Sequence, residues 1–178
     1  MANSITGRLL SFYEVESIWS IDRAETIERS YELLEGKLQL KDNYHKTAGW
    51  PEGEPEKYNP EFEQCYDRGG WFYGLFEAEK IIGSAILSDH FIGKGLDQLQ
   101  LKFLHISQSY RQQGLGKRLV AIAKEEAKHR GAEYLYVSAT PTQRTIDFYL
   151  SCGFDLVKEP EPSLLMLEPT DIHMICSI

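Results

Sequence analysis

The stretch from Leu104 to Leu119, LHISQSYRQQGLGKRL, constrains the chain most. An apolar, β-prone run, LQLKFLHIS, stops at a polar turn, two glycines follow at G-x-G spacing, and an amphipathic helix with basic residues in its first turn begins. A strand that feeds a glycine-bearing turn into a helix N-terminus makes an anion site. The first turn of a helix carries N–H groups without intrahelical partners, and the helix dipole adds partial positive charge there. Glycine removes the side chain that would keep a phosphate off the backbone. Two familiar phosphate loops fail on spacing. The P-loop needs a first glycine where Arg111 stands and Ser or Thr where Arg118 stands; the dinucleotide fingerprint needs a third glycine where Leu119 stands. What remains is R-x-x-G-x-G, as Arg111, Gly114 and Gly116.

One helix downstream, Tyr134 to Ser138 reads as a strand, rich in aromatic and β-branched residues. Pro141 and Thr142 then open a short helix to Ser151 that carries Phe148 and Tyr149 and closes at Gly153. The R-x-x-G-x-G turn resembles the pyrophosphate-binding motif of the GNAT acetyltransferases. TIDFYLSCGF resembles that family's A-x-x-F-Y-x-x-x-G-F segment. The resemblance covers roughly residues 72–157, and LEPTDIHMICSI and YDRGGWFYGLF resemble a sparsely characterised subgroup. It implies that acetyl-CoA is the co-substrate. Its pyrophosphate would be held at Arg111, Gln112, Gln113, Gly114, Leu115, Gly116 and Lys117. Its pantetheine arm would pair with backbone near Leu104, His105 and Ile106, and Arg144 would reach the phosphates. The resemblance also implies that Tyr149 protonates the departing thiolate, and that the acetyl group passes to an amine by direct attack in a ternary complex. A non-catalytic acyl-CoA-binding module or sensor is the alternative.

The base that frees the amine is not evident. The resemblance places it on the central strand at Gln100, and an amide takes no proton. His105 lies further along that strand, and Asp89 and His90 lie in what reads as the preceding loop; a lone histidine is more often structural. The histidines and cysteines show neither H-x-x-x-H nor C-x-x-C spacing, so no metal is expected. No cysteine invites a covalent acyl-enzyme. Aromatic and acidic residues of the front half, Tyr44, Trp50, Tyr58 and Tyr66 with Glu61, Asp67 and Trp71, can hold a cationic amine or simply pack a core.

A chain of 178 residues suits one domain spanning 1–178. Lys and Arg number 19 and Asp and Glu 27, so the net charge is −8, which argues against nucleic acid or an anionic membrane as a partner. Cys65, Cys152 and Cys176 are an odd set, consistent with free thiols in a reducing compartment. No leader-like or membrane-length apolar run is evident, so a cytoplasmic location is expected. The terminal strand IHMICSI is a suitable edge for a homodimer.

The pattern predicts a strand over Arg8–Glu14 and a helix opened by Asp22 with Ile21, Ala24, Ile27, Tyr31 and Leu34 on one face. It predicts a loop over Gly49–Pro60, where three of the seven prolines fall, and a short helix from Pro60 to Asp67. A hairpin of Gly70–Glu77 with Ile81–Leu87, a loop SDHFIGKGLD, and the central strand Leu96–Ile106 follow. Next come a helix Gly114–Arg130 with Gly131 after it, and a last strand pair, Phe154–Lys158 and Asp171–Ile178, joined by a loop. The fold class is α/β: a mixed, mostly antiparallel sheet flanked by helices, with a splayed central strand pair, as in GNAT proteins.

Overall fold

The computed structural model describes residues 4–178. In chain order the elements are β1 (Ile5–Leu9), a 3-10 stretch (Phe12–Ser20), β2 (Glu25–Leu34), β3 (Lys37–Thr47), α1 (Glu54–Asp67), β4 (Trp71–Glu77) and β5 (Lys80–Ile92). Then come β6 (Gln98–Ile106), a 3-10 turn (Gln108–Tyr110), α2 (Leu115–His129), β7 (Tyr134–Ala139), α3 (Gln143–Ser151), β8 (Asp155–Leu156), α4 (Pro162–Leu167) and β9 (Ile172–Ser177). Seven strands hydrogen-bond in the order β1-β4-β5-β6-β7-β9-β8, and β2 and β3 form a separate pair. The β6–β7 pair is parallel; the β1–β4, β4–β5, β7–β9 and β8–β9 pairs are antiparallel.

The chain forms two compact units. The first is Met1–Glu25, Thr47–His90 and Leu101–Ala123. Its sheet signal is strongest at β5, where Ile81 to Ser88 are all buried, a run that suits a strand covered on both faces. Leu10, Val15, Ile18, Phe62, Phe72 and Phe103 belong to its core, which removes a large apolar area from water. The 3-10 stretch starts at a capping box, Ser11 with Glu14, and Arg8 forks onto the same carboxylate at 2.7 and 3.0 Å.

The second unit is Thr26–Lys46, Phe91–Gln100 and Lys124–Ile178. Its parallel ladder has three pairs, Gln98 with Tyr134, Leu99 with Leu135 and Gln100 with Tyr136. One face of β7 and β9 is apolar and buried, with Leu135, Val137, Ile172 and Met174. By the period-two alternation of strands, Tyr136, Ser138 and His173 share the other face.

Several expected boundaries move. The predicted strand over Arg8–Glu14 is instead β1 ending at Leu9, because the Ser11 capping box starts a 3-10 stretch. The predicted Asp22 helix is the strand β2. Asp22 accepts the Ala24 N–H at 2.9 Å in a local turn, and Glu35 and Gly36, both with positive φ, close β2 onto β3 in a two-residue hairpin. The Gly49–Pro60 loop gives way at Glu54 to α1, since Pro55 falls in the first turn, where a missing N–H costs nothing. Strand β5 runs on through Ser88, Asp89 and His90 to Ile92, where a loop was expected. The final connection contains α4, with Pro162 in its first turn. Helix α2 ends as predicted: Gly131 has φ 93° and the Ala132 N–H reaches Ala127 O at 3.0 Å.

Candidate active site

In the first unit β6 delivers the chain into the turn by a set of backbone locks. Ser107 N–H donates to Ile82 O at 2.8 Å, Gln108 N–H donates to Asp22 O at 3.0 Å, and the Ser107 hydroxyl accepts the Asp22 N–H at 3.0 Å. After the 3-10 turn, Gln112 (φ 61°) and Gly114 (φ 78°) adopt left-handed backbone. Gly114 is the position where this favours glycine, because an added Cβ would meet nothing within 4 Å but would still be strained by φ. The first α-helical bond is Arg118 N–H to Gly114 O at 3.0 Å. The N–H groups of Leu115, Gly116 and Lys117 therefore precede the intrahelical ladder and point out of the helix end. Leu115 is buried and anchors the turn, while Gln112, Gln113, Gly114 and Lys117 are exposed. Open space at Gly114, backbone donors and an exposed lysine fit the diphosphate of a CoA ester.

The Arg111 guanidinium faces inward. Nε donates to Ile106 O at 2.9 Å, Nη1 to Ala24 O at 3.0 Å and Nη2 to Asp22 O at 3.1 Å. It ties the end of β6 to the segment before β2, so its charge reaches the turn through geometry as well as field.

On β6, Leu104 and His105 are half-buried and Ile106 is buried. The His105 ring lies 4.7 Å from Phe103 and 4.8 Å from Trp50, centroid to centroid. Burial, then the charges of Arg23 and Arg111, lower its pKa to about 3. A neutral imidazole of that kind is a packing residue and a very weak base. The front aromatics pack in the same way. Trp50 donates to Ile21 O at 3.0 Å, Tyr66 donates to Leu10 O at 3.2 Å, and Trp71 stacks on Tyr73. Glu61 pairs with Lys102 at 2.6 Å.

Tyr149 and Arg144 lie on α3 in the second unit. Thr142 caps that helix, its hydroxyl accepting the Thr145 N–H at 3.3 Å. Arg144 is exposed in the first turn. Tyr149 is 7% exposed, with Phe148 and Phe154 each 5.2 Å from its ring. Burial, with Cys152 nearby, pushes its hydroxyl pKa well up, so the phenol is a proton donor throughout the physiological range.

One polar grouping escaped the sequence, and a second was seen there only as residues of a loop. Tyr136 Oη lies 2.6 Å from His173 Nδ1 and accepts the Glu161 N–H at 3.1 Å, while the buried His173 Nε2 meets no hydrogen-bond partner among the described residues. Gln100 pairs with Tyr136 across the parallel ladder. In the first unit Asp89 and His90 join at 3.0 Å. Both were visible as base candidates in an expected loop, but their place on β5 and the contact between their side chains were not. Among the described residues no group of three or more His, Cys, Asp or Glu side chains is arranged to hold a metal.

A sequence profile of the acetyltransferase (GNAT) family matches residues 38–154. No curated protein sequence matches significantly. Among solved structures the fold is similar to nourseothricin acetyltransferase, with TM-score 0.74 and 17% identity over 99% of each chain. It is similar to a Bacillus anthracis str. Ames protein described as a streptothricin acetyltransferase and solved with acetyl coenzyme A, with TM-score 0.73 and 18% identity over 98% of this chain and 99% of that one. It is also similar to the PaiA N-acetyltransferase of Thermoplasma acidophilum, solved with coenzyme A, with TM-score 0.65 and 18% identity over 98% and 99%. With two thirds of its length inside the family profile, a glycine turn leading from β6 into α2 and the matching sheet, the chain belongs to the acetyltransferase (GNAT) family.

Proposed function

We propose that this chain, as a single domain over residues 1–178, transfers an acetyl group from acetyl-CoA to an amine by direct attack in a ternary complex. The observation that carries the reading is the Gly114 turn, with left-handed backbone, open space and the leading N–H groups of α2 together. Backbone donors at Leu115, Gly116 and Lys117 hold the pyrophosphate, and the Lys117 ammonium adds charge. Gln112 and Gln113 shape the turn, and Arg111 sets it by binding Ile106 O. Backbone groups of Leu104, His105 and Ile106 carry the pantetheine arm. Arg144 offers a further contact to the phosphates. The acceptor amine attacks the thioester carbonyl, whose oxygen is met by a backbone N–H near Ile106, and Tyr149 supplies a proton to the departing thiolate. Acceptors are small molecules or peptides; nucleic acid and membrane are not partners in this reading. The family's solved members with bound acetyl-CoA or CoA support the cofactor. The amide at Gln100 favours a second reading, an acyl-CoA-binding module without turnover.

Calorimetric titration with acetyl-CoA tests the cofactor, with ATP and NAD as controls and Gly114→Glu alongside. Selective acetyl-CoA binding that the variant abolishes is expected. A folded wild-type protein that ignores acetyl-CoA and longer acyl-CoAs overturns the reading. Thiol release with nourseothricin, a simple diamine and an alanine-terminated peptide as probes then separates transferase from binding module.

A further inference from the structure

We propose that His90, oriented by Asp89, is the base that deprotonates the acceptor in this chain. The inference rests on the acetyltransferase reading and supplies the group that Gln100 lacks. The two residues are neighbours on β5, where side chains ordinarily point to opposite faces, yet Asp89 Oδ1 lies 3.0 Å from His90 Nδ1. The burial is unequal: the Asp89 side chain is 9% exposed and the His90 side chain 64%. The Ser88 hydroxyl, 3.2 Å from Nδ1, also accepts the His90 N–H at 3.4 Å and steadies the ring.

A carboxylate only accepts, so the Asp89 contact fixes the proton of a neutral ring on Nδ1 and leaves Nε2 bare on the exposed side. Burial alone would raise the Asp89 pKa, but hydrogen bonds from His90, its own backbone and Cys65 outweigh burial and hold it below the ordinary range. Asp89 therefore stays an anion behind the ring. Around it stand Cys65 of α1, whose thiol is pushed up to about 11 by burial, and Lys102 of β6, which pairs with Glu61 of α1. The Cys65 thiol is therefore no rival to the imidazole as a base. His105 is packed between rings, and His173 is buried with Nδ1 engaged by Tyr136.

The dyad also stands at the right end of the strand. β5 meets the last residues of β6 at Ile82, bonded to Ser107, and Gly83, set against Ile106. At the other end of β5 the Cys65 thiol donates to Leu87 O at 3.9 Å and feels the charges of both Asp89 and Lys102, which places Asp89 near the Lys102 end of β6. A pantetheine arm that starts at the Gly114 turn and follows Ile106, His105 and Leu104 carries its acyl end toward Lys102. At that end Nε2 takes a proton from the amine nitrogen as the nitrogen forms its bond to the acyl carbon. The imidazolium then returns the proton to water.

The test uses the full chain and needs no known acceptor. Imidazole nitrogen NMR on the free protein should show His90 with Nδ1 protonated and Nε2 bare, and Asp89→Asn should lose that preference. Acetyl-CoA hydrolysis, with water as the acceptor, should rise with pH along one ionisation limb. His90→Gln should remove the limb and lower turnover at least tenfold while acetyl-CoA binding by calorimetry stays within twofold. Asp89→Asn should shift the limb, and Asp89→Glu should restore most of it. A His90→Gln protein with wild-type rate and pH profile overturns the proposal. So does an Nε2-protonated ring, or a protein that binds acetyl-CoA yet turns over neither water nor amine. Failure to bind acetyl-CoA at all overturns the acetyltransferase reading instead.

Discussion

A phenol that burial keeps protonated can donate but cannot easily be replaced by solvent. Tyr149→Phe keeps the ring that packs on Phe148 and Phe154 and removes only the hydroxyl. Turnover is expected to fall about a hundredfold, with acetyl-CoA affinity unchanged, as steady-state kinetics beside calorimetry will read. Unchanged turnover would leave Tyr149 as a core residue. A second carboxylate speaks to stability. The bond from Arg8, then the Ser11 N–H, lower the Glu14 pKa from 4.5 to about 2. Its contribution is full above pH 4.5 and is lost as pH falls through 2, so wild type and Glu14→Gln should converge in melting temperature over that window. Both partners meet solvent, so the difference at neutral pH is about 1 kcal/mol or less.

Among elements, the β5–β6 contact is the most tightly specified. A Cβ on Gly83 would collide with the Ile106 side chain and sit 3.2 Å from His105 O. Gly83→Ala should destabilise by about 1–3 kcal/mol in thermal unfolding, and Ile106→Val in the same chain should recover part of that. Full recovery is not expected, because the His105 carbonyl is backbone. Elements also differed in how legible they were. The α2 and α3 helices were read to within about one residue, since Gly114, Gly131, Thr142 and Gly153 punctuate them locally. β2 was misread because Ile27, Tyr31 and Leu34 satisfy a helical stripe, while the hairpin with β3 is formed by a partner strand that no local window contains. Of the site, the Gly114 turn was legible, and the inward fold of Arg111 onto Asp22, Ala24 and Ile106 was not.

For the molecule as a whole, ligand binding and stability are one quantity. Acetyl-CoA at about a hundred times its dissociation constant should stabilise the chain by about 2.7 kcal/mol. For a chain of 178 residues that is a rise in melting temperature of roughly 5–10 °C. ATP and NAD should produce no rise, and neither should acetyl-CoA with Gly114→Glu; a scanning fluorescence melt decides it. No helix among the described residues is long and apolar enough to cross a membrane.

By itself the sequence determined the glycine turn after β6, the helix it opens and the helix that carries Tyr149, because glycine backbone freedom and capping act over a few residues. It also determined that β4, β7 and β9 are strands, from their aromatic and β-branched content. Tertiary structure alone decided what long-range partners decide. Arg111 binds carbonyls some ninety residues away in sequence, His105 is held neutral between Phe103 and Trp50, and burial separates Asp89 from the exposed ring of His90. A side chain's protonation and direction depend on desolvation and neighbours brought together by the fold, and no window of local sequence carries those.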